Sequence, residues 1–254
     1  MPALFIGHGS PMNAIEDNAF RHRWQALGRE LPRPRAIVCV SAHWETRGVY
    51  VSGTTRPETI HDFYGFPKAL FDVRYPASGD PQLARHVADL LAPQHVHIDT
   101  GRGLDHGAWS VLVALYPQAN IPVIQLSLDL RQPPAFHYEL GRRLASLRDG
   151  GVLVLGSGNV VHNLYVFDFH NLEPYGWALE CDATFRARAE ARDHAALIDY
   201  AQTFGDSARL AVPTPEHYLP MLYPLALQEP GEPLRLFNTT VQSSLGMSSF
   251  VIGG

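Results

Sequence analysis

Three times in this chain a short apolar run climbs to a small-residue turn and then delivers a histidine. Ala3-Leu4-Phe5-Ile6-Gly7 leads to His8, and Ala36-Ile37-Val38-Cys39-Val40-Ser41-Ala42 leads to His43. Gly151-Val152-Leu153-Val154-Leu155-Gly156-Ser157-Gly158 leads through Asn159-Val160-Val161 to His162. Continuous β-branched runs of this length read as inner strands of a parallel sheet, buried on both faces. In an open α/β sheet, ligands bind in the crevice beyond the carboxyl ends of the strands. Such histidines are therefore placed to converge on one site, and the fold must set those strand ends side by side.

The rest of the pattern supports that fold. Periodicity predicts strands over 3–7, 36–42, 48–52, 95–99, 121–128 and 151–158, with helices over 18–30, 80–91, 108–115, 134–148, 176–203 and 216–227. Trp24 and Leu27 mark the apolar face of the first helix. Residues 234–252 read as two antiparallel strands around a Ser/Gly turn. The expectation is an α/β chain: a single domain over 1–254 with a mostly parallel central sheet, flanking helices and antiparallel C-terminal strands.

Composition narrows the function classes. A net charge of −5 argues against a nucleic-acid partner. No stretch approaches the roughly 20 apolar residues of a membrane span, so no membrane partner is expected. The amino terminus has no basic region before an apolar core, which speaks against a secretory signal and for a cytoplasmic protein. Two cysteines, Cys39 and Cys181, cannot build a disulfide framework and read as reduced thiols.

Among thirteen histidines, five sit at element ends beside glycine or proline: His8, His43, His106, His162 and His217. His22, His86, His137 and His194 fall on helices among charged residues and read as solvated, and His95 and His97 share one strand face. Imidazole suits zinc, iron and copper, and two histidines with a carboxylate and open positions is the usual set of non-haem Fe(II) oxygenases. No HExxH or CxxC element names the metal. Gly7, Gly9, Gly107 and Gly158 are expected to let backbone pack close to a bound group. Gly156-Ser157-Gly158 does not complete GxGxxG, since Val161 stands at the last position, and Gly7-His8-Gly9-Ser10 is not a nucleophile elbow. The aromatic loop His61-Asp62-Phe63-Tyr64-Gly65-Phe66-Pro67 reads as a wall or lid over a planar substrate, with His61 or Tyr64 at its polar end and Trp44 as a second wall.

Taken together, Gly7-His8-Gly9-Ser10-Pro11-Met12, Ser41-Ala42-His43-Trp44, His61 to Pro67, Leu104-Asp105-His106-Gly107, Ser157 to Leu164 and Pro215-Glu216-His217-Tyr218-Leu219-Pro220 resemble the class III extradiol ring-cleaving dioxygenases of the 4,5-DOPA dioxygenase type. The resemblance runs from residue 3 to about 225 and implies an aromatic ring-opening oxidoreductase acting on a small catechol, DOPA-like or caffeate-like, with O2. It implies one divalent metal ion per chain, Fe(II) for turnover, with Zn(II) admissible as the bound ion. Carried over by motif, His8 and His43 are metal ligands, and His162 and His217 are the two further candidates. Glu216 is the alternative to His217, because some relatives use a glutamate there. His162 also matches the acid–base catalyst, and His106 a residue that contacts substrate or oxygen. Two other readings stay open at this point: a metal-binding protein on the same scaffold without ring cleavage, and a zinc hydrolase. Whether the chain forms a homo-oligomer is left open.

Overall fold

The computed structural model describes residues 1–253; residue 254, the last of the expected domain span, lies outside them. Among the described residues ten strands are formed: β1 (Ala3–Gly7), β2 (Ala36–Glu45), β3 (Val49–Ser52), β4 (Val96–Asp99), β5 (Val123–Leu128), β6 (Val152–Gly158), β7 (Leu234–Phe237), β8 (Val241–Gln242), β9 (Leu245–Gly246) and β10 (Ser249–Ile252). Eight join one sheet in the order β4-β3-β5-β2-β6-β1-β10-β7, while β8 and β9 pair as a separate hairpin. The centre, β5-β2-β6-β1, is parallel, and β1–β10, β10–β7 and β3–β5 are antiparallel.

Side chains alternate across this sheet as the period-2 geometry of a strand requires. Phe5, Val38, Val40 and Val154 enter one apolar layer, whereas Leu4, Ile6, Ile37, Cys39 and Leu155 enter the other. The first layer is covered by α2 (Pro81–Leu90), α4 (Pro134–Arg143), α5 (Gly176–Glu190) and α6 (Leu219–Leu225). The second is covered by α1 (Ala19–Glu30), which buries Trp24 and Leu27, and α3 (His106–Leu115). No helix among the described residues is long and apolar enough to cross a membrane.

Several boundaries differ from expectation, each for a local reason. β2 continues to Glu45 through a register shift between Val40 and Glu45, so His43 sits inside an irregular strand end. The helix expected over 176–203 breaks into Gly176–Glu190, His194–Ile198 and Tyr200–Thr203: Arg192 adopts φ 57°, and the Asp193 side chain caps a new start by accepting from Ala196 N. The helix expected over 134–148 likewise stops at Arg143 and restarts at Ser146. Pro215 opens a single 3-10 turn over Pro215–His217 before α6 begins at Leu219. At the C-terminus the two expected strands, β7 and β10, do pair, but β10 also inserts beside β1. His137, expected to be solvated, is 0% exposed, with Nδ1 3.0 Å from the Tyr223 hydroxyl.

Candidate metal centre

The in-register pairing of β1, β6 and β2 sets the site. Gly7 lies opposite Gly158, and Ser41 opposite Ser157, so the carboxyl ends of the three strands are level. His8 follows β1 and donates its backbone N–H to the Gly158 carbonyl at 3.0 Å. The 3-10 turn that presents His217 is tied to the same ends, because Asn159 N donates to the His217 carbonyl at 2.8 Å. The glycines serve this packing. A Cβ on Gly158 would collide with the His217 carbonyl, and one on Gly7 would lie 2.8 Å from the Met247 carbonyl. Both therefore admit neighbouring backbone rather than a bound group, contrary to the expectation for them. Gly107 does the same for the Ser41 hydroxyl and the His43 ring, and Gly9, at φ +59°, turns beside the Met247 side chain.

The five element-end histidines come together. The ligand atoms of His8, His43 and His217 all lie within 4.8 Å of one another, and Nε2 of His43 stands 3.2 Å from Nε2 of His8. His162 stacks on His217 with ring centroids 3.5 Å apart and planes 6° from parallel. His106, at the start of α3, brings its ring to 3.8 Å from that of His43. Glu216 does not join His8 and His43; it groups with His162 and His217 and accepts from the Thr214 hydroxyl at 2.8 Å.

Neighbouring groups decide which imidazole nitrogen faces inward. The Ser157 hydroxyl lies 2.5 Å from the Gly107 carbonyl, which can only accept, so its proton points there. Ser157 Oγ must then accept from His8 Nδ1–H at 3.0 Å, which leaves the His8 Nε2 lone pair free. Glu216 stands 3.1 Å from His217 Nδ1 and exerts the same choice on that ring. Asp62 accepts from the His106 backbone N–H at 2.9 Å, and its carboxylate lies 3.0 Å from His106 Nδ1 and 3.8 Å from His43 Nδ1. The His106 Nδ1 contact does not have the geometry of a formed hydrogen bond. Beneath, buried Asp105 accepts from the Ser41 hydroxyl, Arg102 and Gln125, and the Ser41 oxygen accepts from the His43 N–H.

Burial keeps the imidazoles of His8, His43, His162 and His217 neutral. Loss of solvent, then repulsion from the neighbouring histidines, drives His8 and His217 well below the usual imidazole value. Burial first and His106 second bring His43 down to about 4, although Asp105 and Asp62 pull the other way. Burial and then His43 take His162 to about 3. At Asp62 partial burial raises the carboxyl, but the His106 ring and N–H outweigh it and hold the group at about 2. Neutral imidazole is the metal-binding form, so this set of donors suits a divalent ion.

A cavity of about 240 Å³ opens over the histidines. Its walls are Phe63, Phe66, Leu164, Phe167, Phe169 and Leu245. The side chains expected to form that wall do not. His61 packs on Phe63, Phe71 and Trp109, with Nε2 3.1 Å from the Val73 carbonyl; Tyr64 is 92% exposed; and Trp44 is buried under the Arg102 guanidinium. None of the three lines the cavity. From the same loop it is Phe63 and Phe66 that line the cavity. Asp62 and Ser157 lay within the motifs and were passed over. Leu245 carried no signal at all: it reaches the site because β9 pairs with the backbone of His162.

Comparison with known proteins identifies the family. Residues 2–209 match the family described as the catalytic LigB subunit of aromatic ring-opening dioxygenase. A 4,5-DOPA dioxygenase extradiol of Escherichia coli (strain K12) is 48% identical, covering 100% of this chain and 95% of that protein. One from Beta vulgaris is 39% identical over 86% of this chain and 83% of its own length. The crystal structure of an uncharacterized protein from Escherichia coli K12 has the same fold, with a TM-score of 0.88 at 44% identity over 100% of both chains. The chain belongs to the LigB family and is an aromatic ring-opening dioxygenase of the class III extradiol type.

Proposed function

We propose that the chain opens the ring of a catechol with O2 at a single divalent metal held by His8, His43 and His217. One observation carries this reading: three neutral imidazoles converge at the floor of an apolar cavity large enough for one substituted ring. An apolar cavity of about 150 Å³ already takes benzene, so about 240 Å³ leaves room for a substituent. Two nitrogens about 2.1 Å from a shared ion stand about 3.0 Å apart at a right angle and about 3.4 Å at a tetrahedral one. The 3.2 Å between His8 and His43 fits either. Fe(II) would supply a Lewis acid that binds both catechol oxygens and a redox centre for dioxygen, whereas Zn(II) fits the same donors without redox chemistry.

The chain's own groups do the rest. Ser157 and Glu216 orient His8 and His217 by holding Nδ1, the arrangement that fixes ligating histidines elsewhere. Glu216 is thereby a positioning residue and His217 the ligand. His162 is the acid–base residue: no other side chain holds its ring nitrogens among the described residues, and it lines the cavity beside His217. It accepts a catechol hydroxyl proton and returns it as the ring opens. An anionic substrate arriving beside it raises its basicity from the low value burial imposes. His106, also lining the cavity and 3.8 Å from His43 ring to ring, contacts the substrate or dioxygen. Phe63, Phe66 and Phe167 exclude water and hold the ring plane.

The test is oxygen consumption by anaerobically Fe(II)-loaded protein given a panel of catechols. Stoichiometric uptake with a yellow ring-opened product is expected. No uptake with metal bound would overturn the reading, and hydrolysis by zinc-loaded protein without O2 would replace it.

A further inference from the structure

Ser10 stands two residues after His8 and lines the cavity over the histidines, yet neither the metal nor the ring chemistry uses it. Local hydrogen bonds fix its place. Gly9 N donates to Asn159 Oδ1 at 3.2 Å, Asn13 Nδ2 to the His8 carbonyl at 2.9 Å, and Asn13 N to the Ser10 carbonyl at 3.0 Å. A 3-10 turn over Pro11–Ala14 begins directly after Ser10, whose hydroxyl oxygen caps it by accepting from Met12 N at 3.2 Å. A hydroxyl used in this way spends a lone pair and keeps its proton. Among the described residues that proton has no acceptor. The other polar side chains lining the cavity are the imidazoles of His8, His43, His106, His162 and His217, all engaged with the metal or the reacting oxygens in the reading above. The rest of the lining carries no polar side chain. Ser10 is therefore the one side-chain donor left over for a substituent on the ring.

We propose, resting on the ring-opening reading above, that Ser10 is a specificity-determining residue: its hydroxyl donates to an acceptor on the ring substituent, a carboxylate above all. Ser10 is exposed, so it meets a substituent that reaches the rim of the cavity while the ring sits on the histidines. A hydrogen bond to a charged acceptor is stronger than one between neutral groups. A donor already held by its own turn also loses little freedom on binding. Water competes at the rim, which limits the gain to about tenfold in affinity.

Calorimetry on zinc-loaded full-length protein without oxygen measures binding apart from turnover. The probes are 3,4-dihydroxyphenylpropionate and DOPA, which carry a carboxylate, and 4-methylcatechol, whose substituent has no acceptor. Ser10→Ala is expected to weaken both carboxylate catechols about tenfold relative to 4-methylcatechol, with zinc content unchanged. Ser10→Thr keeps the hydroxyl and should restore the wild-type ranking. Ser10→Asp keeps an acceptor for Met12 N but has no proton to give, which separates the cap from the donor. Carboxylate catechols should bind that variant at least as weakly as Ser10→Ala. A ranking that does not move in Ser10→Ala would overturn the proposal. Equal weakening of all three catechols would overturn it too, by making Ser10 a support of the turn alone. Oxygen uptake by Fe(II)-loaded protein separates the two readings. Uptake together with an unmoved ranking sinks the role of Ser10 and spares ring opening, while no uptake on any catechol sinks ring opening.

Discussion

Ser157→Ala should loosen the metal site without touching a metal ligand. The hydroxyl is fully buried, accepts from His8 Nδ1 at 3.0 Å and donates to the Gly107 carbonyl at 2.5 Å. Its removal leaves His8 Nδ1–H buried and without an acceptor, which costs about 1–3 kcal/mol. His8 can also shift its proton to Nε2, where it opposes an ion. Losing such a support typically weakens metal binding by about tenfold to hundredfold. Competition against a chromophoric chelator gives the affinity, and thermal unfolding should show a fall of roughly 2–10 °C for a domain of this size. Ser110→Ala is the internal control, since Ser110 is equally buried but its hydroxyl has no partner, so deletion should be close to neutral. A folded Ser157→Ala protein with wild-type metal affinity would refute the reasoning, as would equal losses in both variants.

Three further outcomes follow from the same geometry. His217→Ala should abolish metal binding whereas Glu216→Gln should weaken it about tenfold to hundredfold, read by the same competition assay; the reverse order would make Glu216 the ligand. His162→Ala should keep its metal and lose turnover, and loss of metal on purification would make His162 a ligand instead. The metal-free protein should lose stability as pH falls. His43 and His162 titrate at about 4 and about 3 in the folded chain, but near 6.5 when unfolded, so the unfolded state takes up more protons between those values. For His43 alone the loss amounts to about 3 kcal/mol by pH 4. Urea midpoints that stay flat from pH 7 to 4 would contradict the burial of these rings.

How much of this was legible beforehand can be judged residue by residue. Strands 3–7 and 152–158 and the helix that buries Trp24 and Leu27 follow from patterns two to four residues apart, the range over which backbone geometry repeats. The split of 176–203 did not, because a single residue at positive φ decided it. His8 and His43 were recognisable as a converging pair, because parallel inner strands end level. The wall of the cavity was not. Its members are ordinary phenylalanines and leucines, and nothing local distinguishes Phe63, which faces the site, from Tyr64, which faces solvent.

By itself, then, the chain's residue order determined a parallel α/β sheet and a supply of histidines at its strand ends. It did so because alternation and helical period act through near neighbours. Tertiary structure decided which nitrogen of each ring faces inward. His8 answers to Ser157, 149 positions away, and the backbone of His162 is braced by Leu245. Those choices rest on contacts between segments distant in the chain, where hydrogen-bond partners and van der Waals volume are fixed only once the sheet and its loops have packed.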